Sequence, residues 1–329
     1  MIMNQFTKDF KLTPGYITGL TQTDGSFSVG IVITITRSIY FVPSFNITAD
    51  LDSKYVIDAI HKYFGCGTVA ISLKNFTAIF QVTKVDDLLN IIIPHFILHP
   101  LFCAKLHAFN LFKLIVEDKF NTNKKSKEWK IKIVKMSLSM NSASLRTNER
   151  INEIYNVLGV SNGSELPLIE NINKNIDTII TNNNISGIID GDGSFWISFS
   201  EKGGIKPGFS ITMDTASVPL LNKIKEKFNN IGTVTQKKST YFQYYVHGLR
   251  QITDVLIPFM DLNPIFSERA DHYEIFRKVS YMLITERPLT LETKLEIVEL
   301  AYNSNKKGKR RRISKEDYIK LLKEIHSVN

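Results

Sequence analysis

Two aspartates carry the most pointed chemistry in this sequence. Asp24 lies near the end of Ile17-Thr18-Gly19-Leu20-Thr21-Gln22-Thr23-Asp24-Gly25, and Asp192 holds the same place in Ile185-Ser186-Gly187-Ile188-Ile189-Asp190-Gly191-Asp192-Gly193. Each stretch has the pattern of an apolar helix that runs through an aspartate and a glycine into a strand beginning Ser-Phe. The C-terminal end of a helix carries partial negative charge, so a carboxylate there is unfavourable unless a cation compensates it. The same departure made twice is the pattern of a functional site rather than of packing. Gly19 beside Thr18, and Gly187 beside Ser186, give each helix a flank with little bulk, so two such helices packed together would bring Asp24 and Asp192 to one end of the pair. Paired carboxylates repel and raise one pKa unless divalent cations neutralise them. Hard oxygen ligands with positions left for water and phosphate suit Mg2+, with the carbonyls of Thr23 and Gly191 as further ligands. Two such ions sharing a phosphodiester activate a water and stabilise the leaving oxygen.

Composition is consistent with that chemistry. The 329 residues are enough for two domains, and 43% hydrophobic residues exclude a disordered chain. A net charge of +9 favours polyanionic partners through counterion release. No run approaches the ~18 apolar residues of a membrane span, and Met1–Lys11 lacks the apolar core of a signal peptide. Cys66 and Cys103 form neither a disulfide framework nor a zinc motif. His95 and His99 have the spacing of a metal pair, but Pro94 and Pro100 bracket them and argue against the helix needed to align them.

The elements that must position the aspartates can be read along the chain. Thr13-Pro14 opens a helix that Gly25 stops. A strand with period two follows through Thr36, then a second from Val42 to Thr48, a helix over 53–63 ending at Gly65, and strands near 68–73 and 77–83. Helical segments at 85–93 and 104–117, split by Pro94 and Pro100, lead to a lysine-rich turn over 120–127 and helices at 130–140 and 149–158. Asn183 and Asn184 are expected to cap the second motif helix. The whole pattern then repeats. Gly19 returns 168 residues later as Gly187, while Phe45-Asn-Ile-Thr48 returns 164 residues later as Phe209-Ser-Ile-Thr212. Pro100 and Lys105 return at 164 as Pro264 and Arg269. The near-constant offset marks an internal duplication, with the four-residue difference expected in the first hairpin loop. The expected organisation is α+β, with domains 1–158 and 176–329 joined by a linker over 159–175.

The two motif stretches and the matching halves that follow them resemble the LAGLIDADG homing endonucleases, specifically the single-chain, two-motif branch of fungal mitochondrial introns. The resemblance implies two pseudo-symmetric αββαββα halves packed through the motif helices at Gly19 and Gly187, each with a four-stranded antiparallel sheet that binds the DNA major groove. It implies a monomer acting on double-stranded DNA without an obligate protein partner or membrane, and Mg2+-dependent cleavage of both strands of a long asymmetric site. Two or more ions are implied, with Mn2+ or Ca2+ as substitutes in binding. Asp24 and Asp192 match the family's catalytic acid, and Lys105 and Arg269 match the basic residues near the scissile phosphates. The sequence departs from the pattern at Gln22 opposite Asp190, and at Ala49 and Met213, where some relatives carry a glutamine. Synthesis within the mitochondrion is implied, in keeping with a composition rich in Asn, Ile and Lys and without a targeting peptide. An RNA-splicing maturase and a non-catalytic DNA-binding regulator share the same fold.

The sheets offer a polar face to such a target. In the first half it comprises Ser28, Gly30, Thr34 and Thr36, then Ser44, Asn46 and Thr48, and finally Ser72, Lys74, Gln81 and Thr83. In the second it comprises Trp196, Ser198, Ser200 and Lys202, then Ser210 and Thr212, and finally Thr235, Lys237, Gln243, Tyr245 and His247. A β-ribbon fits the major groove, where Asn, Gln, Lys and Ser address base edges. Arg37, Lys238 and the basic runs 124–127 and 306–312 are better cast as phosphate contacts, which fix register without reading sequence.

Overall fold

A computed structural model describes residues 10–121, 126–140, 147–161, 169, 178–304 and 313–328. The first half runs α1 (Pro14–Asp24), β1 (Gly25–Ile33), β2 (Ile39–Asp50), α2 (Lys54–Phe64), β3 (Thr68–Ser72), β4 (Thr77–Val82), α3 (Val85–Asp87), α4 (Ile93–Leu98), α5 (Cys103–Asn121), α6 (Lys127–Ser139) and α7 (Asn148–Val157). The second runs α8 (Asn182–Asp192), β5 (Gly193–Phe199), β6 (Ile205–Asp214), α9 (Val218–Lys227), β7 (Thr233–Lys238), β8 (Tyr241–Val246), α10 (Leu249–Gln251), α11 (Ile257–Leu262), α12 (Arg269–Thr285), α13 (Leu291–Asn303) and α14 (Lys315–Val328). Each half holds one antiparallel four-stranded sheet, ordered β1-β2-β4-β3 and β5-β6-β8-β7. The α+β duplication expected from the sequence is therefore present. The chain divides into two compact units, one of residues 12–179 and the other of residues 180–329 with the N-terminal segment through Lys11. In the latter, Phe10 stacks on Phe266 at 4.6 Å. The expected linker over 159–175 lies largely outside the described residues.

Local sequence explains how each motif helix begins and ends. The Thr13 side chain accepts from the Tyr16 amide at 3.2 Å, and Pro14 fills the first helical position. In the second half Thr181, not Asn183 or Asn184, is the N-cap. Asn184 sits three residues on and accepts from the Thr181 amide at 2.9 Å, closing a reciprocal pair. Gly25 ends α1 without a left-handed turn, since its φ is −87°. It is needed for space, because a Cβ there would lie 2.6 Å from the Thr21 carbonyl oxygen. Gly193 repeats this, with a Cβ 2.7 Å from Ile189 Cγ2. The helix can thus pass directly into the strand, which places Asp24 and Asp192 at the junction.

The first hairpin differs from expectation. β1 stops at Ile33, and Thr34, Ile35, Thr36 and Arg37 belong to a five-residue turn in which Ile35 is fully exposed. Thr34 explains the stop: its Oγ1 accepts from the Ser38 amide at 2.9 Å, while the Thr34 amide donates to the Ser38 carbonyl. Ser200 does the same for Gly204 in the second half, again across a five-residue turn. The four-residue difference between the halves therefore lies in the strands. β1 and β2 are 9 and 12 residues long, against 7 and 10 for β5 and β6. Two residues added per strand keep every side chain on its face, because the strand period is two.

Under each sheet lies an aromatic cluster. Phe27 meets Phe45, Phe96, Phe109 and Phe112 at 5.0–5.4 Å. Phe195 meets Phe209, Tyr273 and Phe276 at 5.1–5.4 Å. Pro94 does not split its helical segment, contrary to expectation. The stretch from Val85 to Leu98 is helical throughout, with a π-turn at Leu88–Ile92 just before the proline. The wider turn accommodates a residue that has no amide to donate, and Ile252–Leu256 repeats the device before Pro258. The segment expected as a turn over 120–127 is shortened at both ends, since α5 reaches Asn121 and Lys127 opens α6. The duplication also extends further than the sequence pattern showed. Tyr155 of α7 and Tyr318 of α14 are both buried, and Tyr318 packs with Val298, Tyr302 and Leu322 under Phe199.

Candidate nucleic-acid interface and paired acidic sites

Asp24 and Asp192 are the last residues of α1 and α8, half-buried and exposed respectively. Thr23 and Gly191 precede them, so each helix end presents a carboxylate beside main-chain carbonyls. Lys105 and Arg269 reach these ends from the first turns of α5 and α12. Lys105 Nζ donates to the Gly25 carbonyl at 2.5 Å. Arg269 donates to the Gly193 carbonyl at 2.6 Å and also to the Gly191 carbonyl. Both cations thereby offset the negative end of a motif helix. Lys105 and Arg269 match in position, and the arginine fork spans two carbonyls of the second site.

A pair of residues that sequence reasoning left without a role holds those cations in place. Gln22 Nε2 donates to the Phe102 carbonyl at 3.3 Å, and its Oε1 accepts from the Phe102 amide at 3.0 Å. Asp190 accepts from the Phe266 amide at 2.6 Å, from the Ser267 amide at 3.0 Å, and from the Ser267 hydroxyl. The difference in residue type now has a physical cause. Gln22 meets one donor and one acceptor, which an amide satisfies. Asp190 meets three donors, which suits a carboxylate; Cys103 stands where Ser267 supplies the hydroxyl. Both bonds fasten the start of the helix that carries the cation. The signal was present in the sequence as a polar residue two positions before each aspartate, inside an apolar helix.

His272 lies one turn into α12 from Arg269, and burial together with the guanidinium lowers its pKa. His95 and His99 do meet, with ring centroids 5.2 Å apart, because the helix expected to fail is intact. Burial, with His99 adding to it, holds His95 down at about 4. Among the described residues no cluster of three or more His, Cys, Asp or Glu is placed to hold a metal ion.

The polar residues expected on the sheets fall into several groups. Ser28, Gly30, Asn46, Thr48, Ser72 and Gln81 lie on the face of the first sheet away from its aromatic core, as do Trp196, Ser198, Thr212, Thr235, Gln243 and Tyr245 on the second. Ser44 and Ser210 share those faces but are buried by their neighbours. Ser44 donates to Asn46 at 3.0 Å and accepts from Gln81 at 3.2 Å. Trp196 lies flat over Gly208, where a Cβ would come within 2.7 Å of the indole nitrogen. Lys237 and Lys238 fall at an irregularity in the β7–β8 register. Thr34, Thr36, Arg37, Lys74, Ser200 and Lys202 stand in hairpin turns rather than strands, with Thr34 and Ser200 spending their hydroxyls on the turn itself. Thr83 and His247 follow the last residues of β4 and β8, and the His247 ring stacks on Tyr245 at 5.4 Å. Ala49 and Met213 share the core-side face, so neither stands among these polar rows. Of the basic runs, 124–125 and 306–312 lie outside the described residues.

A repeated helix–hairpin–helix–hairpin unit, each copy presenting an acidic helix end beside an open antiparallel sheet, defines a duplicated nuclease fold. The sequence model of the LAGLIDADG endonuclease family matches residues 17–116 and 185–280, and the chain belongs to that family. Its relatives include probable intron-encoded DNA endonuclease 1 of Mycosarcoma maydis, 27% identical over 274 residues that cover 81% of this chain and 98% of that protein. Probable intron-encoded endonuclease 2 of Neurospora crassa is 28% identical and is matched over 88% of this chain and 64% of its own length. Among solved structures, the LAGLIDADG homing endonuclease I-LtrWI bound to target DNA superposes with a TM-score of 0.79 at 24% identity, covering 89% of this chain and 98% of that one. I-SmaMI bound to uncleaved DNA with calcium ions gives 0.78 at 24% identity, covering 90% and 99%. A divalent cation belongs with nucleases of this family. No helix among the described residues is long and apolar enough to cross a membrane.

Proposed function

We propose that this endonuclease is a single-chain homing enzyme that cuts both strands of a long, asymmetric DNA site with Mg2+. The observation that carries the reading is the repetition of the family motif with an aspartate at the helix–strand junction in both matched segments. The donors fit the ion: Asp24, Asp192 and the Thr23 carbonyl are hard oxygens at the negative ends of helices, and the Gly191 carbonyl, which accepts from Arg269, would join them only on release of that guanidinium. Mg2+ bound there supplies an activated water and charge at the leaving oxygen. Lys105 and Arg269, fixed beside the same helix ends, supply positive charge toward the scissile phosphates. Gly19 and Gly187 are both buried, and neither adds bulk to the flank of its motif helix. The outward strand residues address base edges, and Arg37, Lys74, Lys202 and Lys238 address phosphates. The two domains expected around the 159–175 linker each serve one half-site. The fungal, intron-encoded character of the relatives supports synthesis within the mitochondrion.

Cleavage of a randomised duplex library with Mg2+ tests this reading. The wild type should enrich one long asymmetric site, and Asp24→Asn or Asp192→Asn should each lower double-strand cleavage by at least 100-fold, about 2.7 kcal/mol in barrier. Undiminished cutting by both variants would remove the assignment. Site-specific binding by a wild type that never cuts would instead favour a maturase or a DNA-binding regulator.

A further inference from the structure

The two sheets share one topology and, apart from the irregularity at Lys237 and Lys238, one register, yet their outward rows differ in chemistry. In the first sheet one row is Gly30 opposite Val42, and another is Thr48, Ile79 and Ala70. The equivalent rows of the second sheet are Ser198 opposite Lys206, and Thr212, Gln243 and Thr235. Apolar side chains thus stand in the first half where hydrogen-bonding and charged ones stand in the second. The extra length of the first hairpin adds one more outward pair, Val32 opposite Tyr40. Val32, Tyr40 and Val42 are 47%, 59% and 41% exposed, large apolar surface left open at the hairpin end of the first sheet. Two added residues lengthen each strand by about 7 Å, the rise of about two base pairs.

We infer that this apolar end of the first sheet reads thymine methyl groups in the outer part of one half-site. The second sheet reads the other half-site by hydrogen bonds and charge. The inference rests on the endonuclease reading and deepens it. Val32 and Val42 cannot hydrogen-bond to a base edge, but they can contact the thymine C5 methyl, the one apolar group that a standard base pair offers in the major groove. Tyr40 joins them through its ring. Lys206, Gln243 and Thr235 are built for the opposite task, since each can donate to a base acceptor.

The test begins with duplexes selected from a randomised library by the wild type and by a Tyr40→Ala, Val42→Ala double variant. Both residues are exposed, and an unchanged thermal midpoint would confirm that the fold is kept. The base positions whose preference relaxes in the variant are those the apolar end contacts, and they should be thymine. Deoxyuridine placed at those positions removes only the methyl group, and anisotropy without divalent metal should show Kd rising about fourfold per thymine. Deoxyuridine in the other half-site should leave Kd unchanged, and Tyr40→Phe should behave as the wild type. Lys206→Ala should relax positions in that other half-site. Relaxed positions that are not thymine, or an undiminished Kd with deoxyuridine, would overturn the inference while leaving the enzyme a nuclease. If the wild type enriched no duplex at all, the endonuclease reading would fall and this inference with it.

Discussion

Asp190 and Gln22 show how much a single buried polar residue can set. Each spends its side chain on the main chain at the start of the helix that carries Arg269 or Lys105, so the basic group is held through a partner rather than by its own helix alone. Replacing Asp190 with alanine leaves two part-buried amides and a hydroxyl without that acceptor. Each unsatisfied group costs about 1–3 kcal/mol, and more is lost when the missing partner is charged. Asp190→Ala should therefore destabilise the protein by about 3 kcal/mol and Gln22→Ala by about 1–2 kcal/mol, read as urea midpoints. Equal losses from the two variants would show that the charged acceptor has no special place. A second residue-scale effect concerns His95, only 8% exposed and held at about 4 by burial. Its folded pKa lies below the unfolded value, so the unfolded chain binds the extra proton between about pH 6.5 and 4. Stability from this residue is complete above pH 6.5 and falls on acidification by at most about 1.4 kcal/mol per unit. Phe259 fills the equivalent place in the second half, so His95→Phe should flatten that acid slope in thermal melts across pH 4–7. A slope that survives the change would assign it elsewhere.

At the scale of elements, the informative feature is the hairpin. Alternation in the sequence suggested one strand through Thr36, and the four-residue offset pointed to a longer loop. The turn is instead the same in both halves, closed by Thr34 or Ser200, with Arg37 and Gly203 in the left-handed region at equivalent places. Alternating polarity persists through a turn whose threonine hydroxyl bonds its own backbone, so period alone does not reveal where a strand stops. The π-turns before Pro94 and Pro258 carry the same lesson. Proline breaks a helix by lacking an amide, but the widened turn ahead of it removes the need for one.

For the molecule as a whole, a charge of +9 predicts a large contribution of phosphate neutralisation to DNA affinity. If 6–10 phosphates are contacted, affinity should fall about 10^3-fold or more between 50 and 200 mM salt. A slope near zero in log Kd against log salt would contradict that binding mode. The sequence by itself determined the duplication, the two motif helices with their aspartates and glycines, the order of elements in each half, and the family, because all of these rest on residue type and spacing. Tertiary structure decided what depends on partners distant in the chain. It made Gln22 and Asp190 different because their neighbours, some 80 residues away, offer different mixtures of donors and acceptors. It also turned Lys105 and Arg269 onto carbonyls at the helix ends and uncovered an apolar end on only one sheet. Hydrogen bonds and exposure belong to the folded neighbourhood of a side chain, which spacing along the chain does not contain.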